Sequence, residues 1–510
     1  MKRRDFIKMA TALSIAGTKV PLMAFNRPKH LRKSSGNWGS DRIVILIKLN
    51  GGNDGLNTLI PVQDSIYYNK RPNLGIKARN ALPINYDTYF HPSLVNSQSL
   101  FQQGMMSIVH AVGYPAGNLS HFRSSDIWVT ASGSNRVWNT GWLGRMFAYD
   151  YPDYPANIPD HPIGIQMGSA NLLEFQTPET NMATMLGSTD SLYKIIDENY
   201  VAGSNDSAPP TYGGEELKYV RAIDESTYEF SGVINDAGQK GKNTLEYPAT
   251  NLGLQMAVAA KLISGGLTTP VYRLNYSGFD THANQWNNHI RLLRELDQAV
   301  FAFLKDLGSQ GLVEKVLLVT TSEFGRRVME NGSVGTDHGT AGPTLFYGPP
   351  LRGNIIGSQP PLNDLIRGGN LKVQHDYRQI YSTIMQDWFG LAKDTVKDIL
   401  EETYDPVSVI HEPLSADKDV HLPSNFKLHP AYPNPFNPAA EIGFEIPQES
   451  IVKISVYTIT GRRILHQDLG AKHAGNHSYT LVPKGWASGT YIVQIEALGS
   501  VLTQQITYLK

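Results

Sequence analysis

The chain contains no cysteine. That absence excludes a disulfide scaffold, a thiol nucleophile and a thiolate-held metal. Any metal here must be held by His, Asp, Glu, Asn or hydroxyl oxygens. Long hydrophobic runs are missing too: no stretch of about 18 apolar residues occurs, so no transmembrane helix is expected. There is no excess of either charge, with 45 Lys plus Arg against 46 Asp plus Glu and a formal net charge of -1. A surface so balanced is not built to coat nucleic acid or an anionic membrane. Hydrophobic residues reach 41% and charged residues 18%, the composition of a globular chain. At about 150 residues per domain, 510 residues imply two to four domains.

Both ends of the chain read as addresses. Residues 1–35 open with Met1-Lys2-Arg3-Arg4-Asp5-Phe6-Ile7-Lys8, followed by a mildly apolar stretch from Met9 to about Phe25. A basic start before a modest apolar core is the pattern of an export signal. Arg3-Arg4-x-Phe6-Ile7-Lys8 resembles a twin-arginine signal, and an ordinary secretory signal carrying two arginines is the alternative. At the other end, prolines at 406, 413, 423, 430, 433, 435 and 438 break any helix, so 403–428 reads as a linker. Beyond it, Val452, Ile454 and Val456 alternate with Lys453, Ser455 and Tyr457, and Tyr491, Val493 and Ile495 alternate with Gln494 and Glu496. Six short strands over 429–510 suggest a small C-terminal β-sandwich.

Residues 40–402 alternate apolar strands with helices. Ile43–Leu49 is a near-continuous apolar run, as a strand buried on both faces should be. Ser107–Val112, Val271–Tyr276 and Val316–Thr321 are of the same kind. Leu252–Ile263 reads as a helix, and Trp286–Leu307 places Ile290, Leu293, Leu296, Val300, Phe303 and Leu307 on one stripe. The class is therefore α/β, a mostly parallel sheet sandwiched by helices. Residues 202–214 read as a surface loop.

In an open α/β sheet, ligands sit past the carboxyl ends of the strands. Leu49 is followed by Asn50-Gly51-Gly52-Asn53-Asp54-Gly55, and Val112 by Gly113 and then Ser120-His121-Phe122-Arg123. Tyr276 leads into Ser277-Gly278-Phe279-Asp280-Thr281-His282, and Thr321 into Ser322-Glu323-Phe324-Gly325-Arg326-Arg327. Gly335-Thr336-Asp337-His338-Gly339 precedes the strand Thr344–Tyr347. Glycines let backbone approach a ligand closely, and the carboxylates and imidazoles suit a divalent cation: zinc, calcium, magnesium or manganese.

Each stretch also has a plainer reading. Asn53-Asp54-Gly55 fits a tight turn. Ser120 fits a helix N-cap, and Asp280 could cap a helix and leave His282 on the surface. Asp337 and His338 fit a loop ion pair, and Glu323 fits pairing with Arg326 or Arg327. His289 reads as a solvated helix residue and His110 as a satisfied core histidine. Five such clusters bordering strands, far apart in sequence, point to a shared site.

Gly51–Asn57, His110–Pro115, Ser120–Arg123 with Asp126-Ile-Trp128, Gly141–Arg145, Phe279–His282, Ser322–Arg327 and Gly335–Gly342 closely resemble the secreted family called domain of unknown function 1501. The resemblance spans about residues 40–395. It implies an alkaline phosphatase and sulfatase-like fold with one or two metals at the strand ends. The same resemblance implies metal ligands at Asp54, Asp280, His282, Glu323, Asp337 and His338, with His289 as an alternative partner to His282. It puts Ser120 at the nucleophile, with Arg123, Arg326 or Arg327 pairing an anionic ester group. Phe324 stands where a His commonly follows, so one ligand of the two-metal pattern is missing. The lack of cysteine excludes a formylglycine mechanism. The implied activity is hydrolysis of a phosphate or sulfate ester, polymeric esters included; the alternative is a non-catalytic secreted or cell-surface binding protein. Tyr432-Pro-Asn-Pro-Phe-Asn-Pro438, Val456-Tyr457, Gly461-Arg462 and Ser488–Tyr491 resemble the sorting domain of the Bacteroidetes type IX secretion system. The immunoglobulin-like domain of flagellar hook-capping proteins and a carbohydrate-binding module are the competing matches. Export to the cell surface or medium, otherwise to the periplasm, follows, with the export and type IX machineries as partners.

Overall fold

A computed structural model describes residues 41–155, 157–167, 172–186, 230–366, 368–411, 426–447, 450–472 and 475–510. The export signal, the 202–214 loop and residues 412–425 of the expected linker lie outside the described residues. The chain divides into two compact units, Met1–Ala416 and Asp417–Lys510.

The first unit is built on a nine-stranded sheet. Its strands are β1 (Ile43–Asn50), β2 (Met106–Gly113), β3 (Gly164–Met167), β4 (Ala183–Leu186), β5 (Val271–Ser277) and β6 (Val316–Thr321). A separate hairpin of β7 (Gly325–Glu330) and β8 (Thr336–Gly339) follows, then β9 (Gly342–Tyr347), β10 (Ile355–Ile356) and β11 (His375–Asp376) return to the sheet. The order is β10-β2-β9-β6-β1-β5-β3-β4, with β11 also on β2. β1 lies parallel between β5 and β6, with Ile47 opposite Leu274 and Thr320. Its apolar run is explained by the packing. Ile43, Ile45, Ile47 and Leu49 enter one core cluster and Val44 and Leu46 enter another, one cluster to each face of the strand.

β9 is antiparallel to both β2 and β6. A reversed strand begins at the edge where its parallel neighbours end. This is why the Gly335–Gly342 motif, alone among the five, precedes its strand instead of following it. Helices that border the site or the sheet include α1 (His121–Thr130), α2 (Trp142–Asp150), α3 (Asn251–Ser264) and α4 (Gln285–Ser309). On α4 the expected stripe is buried from Leu293 to Leu307, while Ile290 is only partly covered. Among the described residues no helix is long and apolar enough to cross a membrane.

The second unit has two antiparallel sheets. One pairs Lys427–Leu428, Ala440–Ile446 and Gly475–Leu481; the other orders Arg463–Lys472, Ser450–Thr458, Gly489–Ala497 and Ser500–Tyr508. That is one strand more than the six expected, because Lys427–Leu428 pairs in as a short edge strand. Ile442, Phe444 and Ile446 of the first sheet share a core with Val452, Ile454, Val456, Val493 and Ile495 of the second. The alternation read in the sequence is therefore that of a sheet with one face buried.

Candidate metal centre

The turn after β1 sets the floor of the site. Gly51 has φ +118, and a Cβ there would lie 2.2 Å from the backbone nitrogen of Asp280. Only glycine permits that approach of the β1 turn to the β5 turn. Gly335 has the same role on the far side, where a Cβ would lie 2.3 Å from the carbonyl carbon of His282. In the β7–β8 hairpin Arg326 stands directly opposite His338. The hairpin and the two turns thus deliver Asp280, His282 and His338 to one place.

Among the described residues, His121, Asp280 and His338 each offer a ligand atom, all within 4.8 Å of one another. His338 Nε2 lies 3.1 Å from Asp280 Oδ1, and His121 Nε2 lies 3.3 Å from Asp280 Oδ2. His282 closes the group, its Nε2 3.1 Å from Asp280 Oδ1 and 2.8 Å from His338 Nε2. The opposite ring nitrogens are all held by acceptors. His338 Nδ1 lies 2.8 Å from the Leu119 carbonyl oxygen, His121 Nδ1 3.0 Å from Glu323 Oε1, and His282 Nδ1 3.4 Å from Asp337 Oδ1. A carbonyl or carboxylate oxygen can only accept, so each Nδ1 carries the proton and donates. In its neutral form a ring so held presents its lone pair at Nε2. Three lone pairs converging on a carboxylate form an electron-rich pocket that a divalent cation would neutralise, and carboxylate and carbonyl partners behind the imidazoles are the usual support of such ligands.

Electrostatics follow the same geometry. Burial works to raise the Asp280 pKa, but the hydrogen bond and charge of Arg326 outweigh it and keep the carboxyl below its usual value. Burial likewise opposes ionisation of Glu323, and the His121 hydrogen bond and the Lys48 charge bring its pKa below the usual value. The Glu323 hydrogen bond raises His121, whereas burial lowers His338. Glu323 Oε1 also accepts from the Gly51 backbone N–H at 2.7 Å, while its buried Oε2 has no hydrogen-bond partner.

Of the six expected ligands, the structure gathers Asp280, His282, Glu323, Asp337 and His338 in one neighbourhood. Glu323 and Asp337 sit behind imidazoles, however, and not at the centre. Asp54 stands apart as a correction: it is 1% exposed and paired with Arg71 Nη1 at 2.6 Å, Arg71 itself being wholly buried. His121, not assigned a metal role from sequence, is a member of the central trio. Its only sequence signal was its place beside Ser120 just past a strand. Ser120 is exposed at the N-cap of α1, between Leu119 and His121, and its hydroxyl makes no capping bond.

Two of the three expected anion-binding arginines are engaged elsewhere, whereas Arg327 Nη1 lies 3.6 Å from Asp337 Oδ2 and its Nε has no partner. Arg123 Nη2 donates to the carbonyls of Gly133, Ser134 and Arg136. Arg326 is fully buried and donates to the carbonyls of Gly51, Gly52, Phe279 and Thr336 and to Asp280 Oδ1, so it fastens the turns together. Glu323 pairs with neither Arg326 nor Arg327. His289 is buried, not solvated, with Nε2 3.1 Å from Asn53 Oδ1. His110 is buried as expected, yet its Nε2 lacks a partner. The N-cap of α4 is Asn284 and not Asp280.

Comparison with known proteins fits this chain into a family. A family model described as "Protein of unknown function (DUF1501)" matches residues 41–400, and one described as "Secretion system C-terminal sorting domain" matches 430–508. No curated protein matches. Among solved structures, the PsFucS1 sulfatase from Pseudoalteromonas sp. is similar at a TM-score of 0.34 and 11% identity, over 89% of this chain and 84% of that one. A protein in the alkaline phosphatase superfamily from Vibrio parahaemolyticus gives 0.30 and 10%, over 88% and 85%. The phosphonate monoester hydrolase SpPMH from Silicibacter pomeroyi gives 0.27 and 10%, over 87% and 90%. The α/β unit, matched nearly end to end, belongs to the family described as protein of unknown function DUF1501, and the chain ends in a secretion-system sorting domain.

Proposed function

We propose that this protein is an exported, metal-dependent hydrolase of phosphate or sulfate esters. The observation that carries the reading is the convergence of His121, His338 and His282 Nε2 on the Asp280 carboxylate, each imidazole held from behind. Nitrogen donors with a single carboxylate suit zinc better than calcium or magnesium, which prefer all-oxygen shells. A bound divalent cation would supply Lewis acidity toward the ester's anionic oxygens. His121, Asp280 and His338 would hold it, with His282 at the open side. Glu323, Asp337 and the Leu119 carbonyl keep the rings turned inward.

Ser120 is the proposed nucleophile. Its Oγ attacks phosphorus or sulfur and gives up its proton, the alcohol leaves carrying a proton, and water then cleaves the serine ester. Its exposure at a helix start, flanked by Leu119 and His121, supports this role. The sorting domain supports release to the cell surface or medium. A second reading, a secreted binding protein without turnover, is favoured by one observation: Arg123 and Arg326 spend their guanidinium groups on backbone carbonyls. The deciding experiment loads the full chain with zinc and assays aryl phosphates and aryl sulfates. Turnover lost in both Ser120→Ala and His338→Ala supports the hydrolase. Bound zinc with no turnover of either ester class supports the binding protein.

A further inference from the structure

We infer that the centre holds one divalent cation per chain, and that the Arg71 guanidinium, locked on Asp54, fills the place where the family resemblance puts a second. The inference rests on the metal-dependent reading above and sharpens it.

Asp54 has most of its lone pairs engaged and a guanidinium already covering both of its oxygens. Its Oδ2 accepts from Arg71 Nη1 at 2.6 Å and from Gln285 Nε2, and its Oδ1 accepts from Arg71 Nη2 at 3.0 Å. Arg71 in turn is saturated. Besides the two bonds to Asp54, Nε donates to the Val328 carbonyl at 2.8 Å, Nη1 to Asn57 Oδ1 at 2.7 Å and Nη2 to the Arg327 carbonyl at 2.9 Å. A guanidinium has five N–H groups, and all five are used. Gln285 is fixed as well, its Oε1 accepting from Thr281 Oγ1 at 3.1 Å and Thr336 Oγ1 at 2.6 Å.

A cation entering here would have to displace a wholly buried arginine and strip every one of those bonds. The other candidate ligands for a second cation are committed in part. Asn53 Oδ1 can only accept, so His289 Nε2 donates to it, and the buried Nδ1 keeps its lone pair without a partner. Glu323 Oε1 serves Gly51 and His121, while its Oε2 stays unpartnered. The carboxylate that a second cation would need is thus occupied by Arg71, while the Nε2 atoms around Asp280 face one another. A positive charge does sit on Asp54, but it is covalently part of the chain.

The test is a count. Full-length protein is stripped with chelator, reloaded with excess zinc, desalted and analysed by inductively coupled plasma mass spectrometry. About one zinc per chain supports the inference. About two per chain overturns it and leaves the metal-dependent reading standing. No zinc overturns that reading itself. A double variant, Asp54→Leu with Arg71→Met, replaces the ion pair by apolar groups and removes both charges together. Folded double variant that keeps its zinc supports the assignment of Asp54 outside the centre; folded double variant that loses it overturns the assignment. If the double variant does not fold, the wild-type count decides alone. Asp280→Asn with His338→Ala is the reference for loss of the site and is expected to retain less than about a tenth of the zinc.

Discussion

Asp54 and Asp280 follow neighbouring parallel strands, both beside glycine-rich turns, and in the sequence they look alike. The structure gives them opposite situations. Asp54 is closed in by a guanidinium and an amide and is 1% exposed. Asp280 is 45% exposed and faces three imidazole lone pairs, with only Arg326 supplying positive charge. Partners decide the role of a carboxylate more than its place in a motif. A compensated buried pair contributes to the fold; an uncompensated cluster at the strand ends is available to a ligand.

Removing one side of each pair should separate these roles most sharply. Asp54→Ala leaves Arg71 charged, buried and alone, and is expected to cost about 3–5 kcal/mol in urea unfolding. Asp280→Asn should cost clearly less stability and abolish zinc binding instead. Equal losses of stability with zinc retained in both would erase the distinction. Glu323→Gln probes the support behind His121 and should weaken zinc binding about 10–100-fold by calorimetry, since supporting acceptors are worth that much at comparable sites. An unchanged affinity would mean that Glu323 does not orient the ring.

Gly51→Ala tests whether the close approach of the two turns is needed. The residue sits at φ +118, and the added methyl would lie 2.2 Å from the Asp280 nitrogen. A loss of about 1–3 kcal/mol is expected, with zinc affinity falling in parallel. The smallest effect is expected far from the site, at Asp306. Burial opposes its ionisation, but hydrogen bonds from Thr244, Asn243 and Tyr247 prevail and keep its carboxyl below the usual value. A carboxyl whose folded pKa is depressed stabilises above its unfolded pKa and loses that contribution as pH falls through the folded one. Asp306→Asn should therefore flatten the decline of the urea midpoint between about pH 5 and about pH 3. A decline as steep as the parent's would assign the acid sensitivity elsewhere.

Much of the scaffold was legible because burial on both faces of β1, β5 and β6 leaves nearly unbroken apolar runs, and alternation in the second unit reports one buried face. The strand-end rule brought Asp280, His282, Glu323, Asp337 and His338 into one neighbourhood. What the sequence could not show was which carboxylate has a cation of its own. Arg71 lies 17 positions beyond Asp54 in an unrelated stretch, and nothing local to it signals the pairing. Helical spacing alone places His289 on a polar side; the structure turns that side toward Asn53. His121 carries no distinct signal, because Ser-His ahead of a helix is equally a capping pattern. Arg326 looked like an anion binder because an arginine after a strand end suits one. Its full set of backbone acceptors appears only when four separated segments are folded together.

The most direct test is anomalous diffraction from crystals of the zinc-loaded full chain, collected on both sides of the zinc edge. The expected result is a peak about 2.0–2.2 Å from His121 Nε2, His338 Nε2 and an Asp280 oxygen. An empty position there, or zinc bound only at surface residues with these imidazoles turned outward, would contradict the account.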